Sequence, residues 1–220
     1  ATVNFSVPPD VKQAFDKAFG RQNKSAVLTD LMRRAIEERR RRQRRAKAVD
    51  KLLALRKRTR RVTEKQSELR GEPEDRDDGV LDASVIVKWV FADRPEEAHS
   101  LQALSLLQLI KKSQIAVLQP PHWLAEVAAV AVRLDPHRAR QAVALLDALE
   151  LAVCTAVEVY EKACDLSATY KQHLFDTLYH AVALCEPGAF LVTADEQYFR
   201  KAHKAGRIVR LSGCRLVLEL

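Results

Sequence analysis

Long hydrophobic runs are missing from this sequence. No window approaches the ~18 consecutive apolar residues that a membrane span needs, and the opening ATVNFSVPPD lacks the basic-then-apolar layout of a secretory signal. Cysteine is sparse: Cys154, Cys164, Cys185 and Cys214 are scattered without a C-x-x-C pair, which argues for reduced, buried thiols rather than a disulfide framework. A cytoplasmic protein is the expectation. No Ser-His-Asp or Cys-His pattern of a covalent hydrolase stands out. Acid is short in the first third, where residues 1–70 hold 21 Lys or Arg against 8 Asp or Glu, a net +13. Residues 71–78 carry −4 and residues 79–220 carry −1. A basic third joined to a near-neutral remainder points to a nucleic-acid partner for one part only. The plainer alternative is a solvated basic helix with no partner. What is present in quantity is apolar residues, 47% of the 220, enough for a sizeable core in one large or two small domains.

In the basic third, TVNFSV alternates: Val3, Phe5 and Val7 fall on one face, and Thr2, Asn4 and Ser6 on the other. Pro8 and Pro9 stop this strand, and a helix carrying Val11, Ala14, Phe15 and Ala18 follows to Gly20. Ser25 is placed to cap a second helix with Ala26, Val27, Leu31 and Ile36 as its apolar stripe. So short a strand cannot bury Phe5 alone, and a two-chain ribbon is the natural solution. This order of strand, helix and helix resembles the ribbon–helix–helix repressors. The resemblance implies a dimer or higher oligomer that binds operator DNA, with Thr2, Asn4 and Ser6 at base edges and the backbone around Lys24 and Ser25 on a phosphate. The second helix runs into seven cations among residues 39–47, then into KLLALRKRTRRV. There Leu52, Leu53 and Leu55 are apolar anchors beside Arg56, Lys57, Arg58, Arg60 and Arg61. With too little apolar surface to fold alone, this segment reads as a strap for another surface.

From Val80 onward, short apolar runs alternate with helical stretches. VLDAS, IAVLQP, LAVCT, AFLVTAD and RIVRL read as apolar strand runs. Helices are expected after VLDAS to Val90 and over 95–112, 121–134, 136–149, 156–171, 176–185 and 195–204. The pattern predicts an α/β domain with a central parallel sheet covered on both faces. Ligands in such sheets bind beyond the carboxyl ends of the strands. Four acids interrupt apolar surroundings: Asp82 and Asp195 at strand ends, Asp176 at a helix start and Glu126 in mid-helix. Asp82, Asp195 and Asp176 could each be a helix cap, an alternative that Glu126 does not have. Isolated carboxylates among apolar residues are costly to ionise without compensation, and a shared Mg²⁺ or Mn²⁺ is the economical compensation.

VLDASVIVKW, PPHWLAEVA, FDTLYHAVAL and LVTADEQYF, in this order, resemble the PIN-domain ribonucleases of the VapC toxin type. The resemblance implies a metal-dependent endoribonuclease whose acidic cluster is Asp82, Glu126, Asp176 and Asp195. Thr193 stands at the family's hydroxyl position, and Ser84 follows the first acid. Ala129 replaces the asparagine that many relatives carry three residues after the glutamate. His173 and His180, flanking Asp176, read as packing or surface residues. VapC-type toxins are neutralised by small DNA-binding partners with a toxin-wrapping tail, and residues 46–79 are similar to such a tail of the VapB type. The whole then reads as a ribbon–helix–helix domain (1–45), an inhibitory tail and linker (46–79) and a nuclease domain (80–214), with RNA as substrate. In that reading Leu52, Leu53 and Leu55 dock on the nuclease, and one of Arg56, Lys57, Arg58, Arg60 or Arg61 enters the acidic cluster. A DNA-binding regulator with a silent PIN fold is the alternative.

Overall fold

The computed structural model describes residues 4–55, 78–93 and 98–216. It divides into two compact units, residues 1–41 and residues 42–220.

The first unit holds helix α1, Pro9–Ala18, and the start of helix α2, Lys24–Ala54. Pro9 takes the first helical position, where its missing N–H costs nothing. Phe15 and Phe19 pack with ring centroids 4.8 Å apart, and Lys24 pairs with Asp16. Asn23, not Ser25, caps α2: its Oδ1 accepts from the Ala26 N–H at 3.2 Å. The expected N-terminal strand is absent from residues 4–8, and Thr2 and Val3 lie outside the described residues. A strand exists only through a paired neighbour, and among the described residues none pairs with this segment. No residue of α1 is buried. Val11, Leu28, Leu31 and Ile36 stand exposed, so the two helices close no core by themselves.

The second unit starts within α2. Ala48, Val49 and Leu52 are buried in its core, and Leu53 and Leu55 pack against that core. Arg45 donates to the carbonyls of Leu149 at 2.8 Å and Glu150 at 3.3 Å. Arg44 pairs with the Glu150 carboxylate at 2.8 Å, and Lys111 with Asp50. A helix so rich in arginine is thus held by one apolar stripe and by carbonyls at a helix end, which attract cations.

The sheet comprises β1 (Asp78–Leu81), β2 (Ala116–Gln119), β3 (Ala152–Val153), β4 (Phe190–Thr193) and β5 (Ile208–Arg210), in the order β3-β2-β1-β4-β5. All neighbours run parallel. Gly79 pairs with Val117 on one side and Phe190 on the other. The helices are α3 (Ala83–Phe91), α4 (Ser100–Lys111), α5 (Trp123–Leu134), α6 (Pro136–Asp147), α7 (Val157–Tyr170), α8 (Leu174–Cys185) and α9 (Glu196–Ala202). The strand order reverses at β1, leaving a crevice between the carboxyl ends of β1 and β4 where such sheets bind ligands. β1 begins before Val80 and stops at Leu81, so Asp82 to Ser84 of the expected strand belong to the next helix and its cap. The helix expected from 95 is seen from Ser100, with residues 94–97 outside the described residues. Among the described residues no helix is long and apolar enough to cross a membrane.

Leu52 has no exposed surface. Leu52→Ala is expected to lower the unfolding free energy of the second unit by about 2–5 kcal/mol in urea titrations, although the residue lies in the segment that looked least able to fold.

Candidate active site

Asp82 is the first residue after β1. Its N–H donates to the Val192 carbonyl at 3.0 Å, which fixes its backbone against β4. Oδ1 accepts from the Ser84 N–H at 2.7 Å and caps α3, while Oδ2 accepts from the Thr193 hydroxyl at 3.2 Å. The Thr193 hydroxyl in turn accepts from the Asp195 N–H at 3.0 Å, and the Ser84 hydroxyl accepts from the Ala194 N–H at 3.1 Å. Asp195 caps α9 through one oxygen, Oδ1, which accepts from Gln197 and Tyr198 at 2.8 and 2.9 Å. Asp82, Ser84, Thr193 and Asp195 therefore form one network joining the turns after β1 and β4.

On the other side of β1, the fully buried Gln119 holds the preceding peptide. Its amide donates to the Leu81 carbonyl at 2.9 Å, and its side-chain oxygen accepts from the Leu81 N–H at 3.1 Å. The main-chain carbonyl of Gln119 accepts from Cys154 at the end of β3. The side chain thus replaces the backbone rung that β1 needs at its last residue, so the N–H and carbonyl of Leu81 are both paired.

Two helices bring the remaining acids. Glu126 on α5 accepts from the Tyr179 hydroxyl of α8 at 2.9 Å. Asp176 lies in the first turn of α8, which starts at Leu174, so it is not the cap of that helix. Burial pushes the Asp82 carboxyl up to about 6; bonds from Ser84 oppose this, and the charges of Glu126 and Asp176 add to it. Asp176 is raised as well, by burial and then by Glu126 and Asp195, with His173 and His122 opposing. Burial and the neighbouring carboxylates also keep the Tyr179 phenol protonated. The four acids named from the sequence consequently feel one another's charge at the carboxyl edge of β1 and β4.

Among the described residues no three His, Cys, Asp or Glu side chains converge on a point that could hold a metal ion. The donor chemistry fits a hard cation all the same. The acids are mutually repelling oxygens, and Mg²⁺ commonly takes one or two carboxylates and keeps its other positions for water and substrate phosphate. Asp82, Glu126, Asp176 and Asp195 are the residues that would hold it.

His180 is a packing residue, as its place on an apolar helix implied. It is buried, and its Nε2 donates to the Gly206 carbonyl at 2.8 Å, so its Nδ1 accepts from the Tyr198 hydroxyl at 3.0 Å. Burial lowers its pKa and keeps it neutral. Ala129 is exposed and offers no polar group. Asn4, Ser6, Lys24 and Ser25 are exposed in the other unit, and Thr2 lies outside the described residues. Leu52, Leu53 and Leu55 meet the core of the second unit, but Arg56, Lys57, Arg58, Arg60 and Arg61 lie outside the described residues. The sequence reading missed Gln119 and Tyr179. Gln119 carried the signal that singled out Asp82, one polar residue closing an apolar strand. Tyr179 looked like part of an apolar stripe.

A family model of the PIN domain matches residues 79–204, more than half of the 220-residue chain. The chain belongs to the PIN-domain family, whose members are generally nucleases that hydrolyse nucleic acids. No curated protein is a significant match to the chain.

The raised Asp82 pKa has a defined consequence for pH. Folded Asp82 keeps its proton up to about pH 6, whereas the unfolded carboxyl loses it near 3.8. The native state thus binds more protons between these values, and without metal its stability falls as pH rises through 6. A divalent ion held at Asp82 would have to displace that proton. The shift in melting temperature caused by either ion is expected to be small at pH 5, larger at pH 7.5, and lost in Asp82→Asn. An equal shift at both pH values would contradict this.

Proposed function

We propose that the second unit is a Mg²⁺- or Mn²⁺-dependent endoribonuclease of toxin type, and that the N-terminal third is its DNA-binding antitoxin. The observation that carries the nuclease reading is the buried Asp82 carboxyl, pushed up to about 6 by burial while Glu126 and Asp176 crowd it at the sheet's carboxyl edge. A bound divalent ion supplies charge for the scissile phosphate and lowers the pKa of an attacking water. The protein's own part is to fix that charge. Asp82 is immobilised through Leu81, Thr193 and Ser84, while Tyr179 and Tyr198 close the floor beneath the acids as neutral phenols. RNA rather than DNA is chosen because the four acidic motifs resemble the toxin branch of the family.

Where α2 ends limits which cations of the N-terminal third could reach the acids. Its contacts at Leu149, Glu150 and Lys111 precede β3 and β2, at the edge of the sheet opposite the acids. No cation among residues 44–51 is therefore placed at the site, and a guanidinium for the acids has to come from beyond Leu55. β1 also starts at that opposite edge. The 22 residues between Leu55 and Asp78 can span about 70 Å at full extension, enough to cross the sheet and return. An arginine among Arg56, Arg58, Arg60 and Arg61 would satisfy two carboxylates as a fork and take the place of the metal's charge.

Deleting residues 46–70 is not a clean test, because Ala48, Val49 and Leu52 are core. Replacing Arg56, Arg58, Arg60 and Arg61 together by alanine is expected to raise Mg²⁺-dependent cleavage of single-stranded RNA at least ~10-fold, the value of one ion-pair contact of about 1.4 kcal/mol. Adding Asp82→Asn should abolish it. Unchanged cleavage in the arginine variant sinks the inhibitory role. Absence of cleavage from every form under both metals supports the alternative, a DNA-binding regulator with a silent PIN fold.

The antitoxin reading of the first unit rests on its unfilled core. Phe5, Val7, Val11, Leu28, Leu31 and Ile36 are all exposed in one copy, as expected if a second copy supplies the paired strand and covers them. Sedimentation should show at least a dimer, and Leu31→Asp should weaken both self-association and duplex DNA binding at least ~10-fold. DNA affinity of the parent should fall by ~10³ or more between 50 and 200 mM salt. A monomer that binds DNA as tightly as the parent would reduce the unit to a basic helix.

A further inference from the structure

Resting on the nuclease reading, we propose that Phe175, His173 and His122 form a stacking platform for one unpaired nucleobase of a single-stranded RNA, beside the phosphate that the acids receive. Phe175 lies in the first turn of α8, immediately before Asp176, and is 51% exposed. It has no polar tip that would benefit from water. Its ring lies 5.0 Å from that of His122 at an interplanar angle of 32° and 6.1 Å from that of His173 at 24°. His173 is thus stacked on Phe175 and His122 is tilted against it, with Phe175 as the exposed member of the cluster. His122 continues inward, 5.0 Å from the Tyr179 ring at 69°, and the Tyr179 hydroxyl holds Glu126. The His122 Nε2 is 3.4 Å from Glu126 Oε2, yet neither ring nitrogen makes a hydrogen bond among the described residues. Packing, not hydrogen bonding, therefore holds this imidazole between Phe175 and Tyr179. A continuous line of rings leads from open surface to the acidic cluster.

The occupant follows from electrostatics. Crowded carboxylates repel a phosphodiester backbone wherever no cation offsets them, so a contact that carries no charge adds attraction for the strand close to the site. Stacking supplies it: every base has a π-face, and each stacked base contributes about 1–3 kcal/mol irrespective of sequence. Nearness to Asp176 puts the stacked base next to the bond to be cut, so the platform would fix the position of the nucleotide that flanks it.

The test uses the full chain with Arg56, Arg58, Arg60 and Arg61 replaced by alanine to open the site, and with Asp82→Asn so that the RNA stays intact. Binding of a short fluorescent oligoribonucleotide is compared for Phe175, Phe175→Ala and Phe175→Trp. A set of oligonucleotides carrying one abasic position each completes the cycle. The expected result is a loss of roughly 5- to 150-fold for Phe175→Ala. One abasic position should cost the same in the Phe175 chain and nothing further in Phe175→Ala. Phe175→Trp should restore binding, with its added emission quenched by RNA. Equal affinities for Phe175 and Phe175→Ala overturn the platform, as does the absence of any RNA binding. Cleavage by the matching Asp82 chain is scored separately. Cleavage with Phe175 indifferent leaves the nuclease standing without the platform, and base-dependent binding without cleavage leaves the platform without the nuclease.

Discussion

The burial of the Asp82 carboxylate between β1 and β4 is the constraint on which the rest of this site depends. A carboxylate in that place is tolerated only with its oxygens occupied. Its two oxygens are shared between a helix cap at Ser84 and the hydroxyl of Thr193. Thr193 can reach it only because β1 and β4 are neighbours in parallel register, Leu81 opposite Val192. Gln119 completes the arrangement from the β2 side by tying down the peptide of Leu81. The sheet order, a buried amide and two hydroxyls therefore serve one geometric end. They hold a group in a charge state that its surroundings resist.

That logic explains which parts of the site were legible in the sequence. An acid that closes an apolar strand is conspicuous because apolar strands are buried and acids are costly there, and Asp82 and Asp195 both fit that description. Reading them as either caps or cluster members set up a false choice. Each uses one oxygen as a cap, which is compatible with facing other carboxylates with the rest of the group. Gln119 broke its strand in the same way but carries no charge, so nothing in the sequence demanded a partner for it. Tyr179 was concealed by helical periodicity, since only the tip of a tyrosine is polar and its ring packs like any other. The N-terminal strand was the opposite case. Its alternation was plain, but a strand is a property of a pair, and among the described residues nothing pairs with residues 4–8.

The arginine-rich helix shows how one charge pattern serves different ends along its length. Around Arg33 to Arg42 the helix buries no side chain. At Arg44 and Arg45 its cations meet Glu150 and the carbonyls just past α6, while Ala48, Val49 and Leu52 turn inward. Composition alone made residues 46–55 look like a strap waiting for a surface. They are integral to the core of the second unit, through Ala48, Val49 and Leu52 with Leu53 and Leu55 packed on them.

The chemistry proposed for the edge of the sheet contains a conflict, because carboxylates close enough to share a cation also repel the anionic strand that the cation is to act on. The ion resolves this only while it is bound, and at low pH the proton on Asp82 competes with it. An uncharged contact does not share that weakness. Phe175, half exposed and one residue from Asp176, is joined by ring contacts to the tyrosine that holds Glu126. In this arrangement charge would select the phosphate and stacking would fix the position of the nucleotide. The two contacts meet on a single helical turn of α8, so the position of that turn sets both at once.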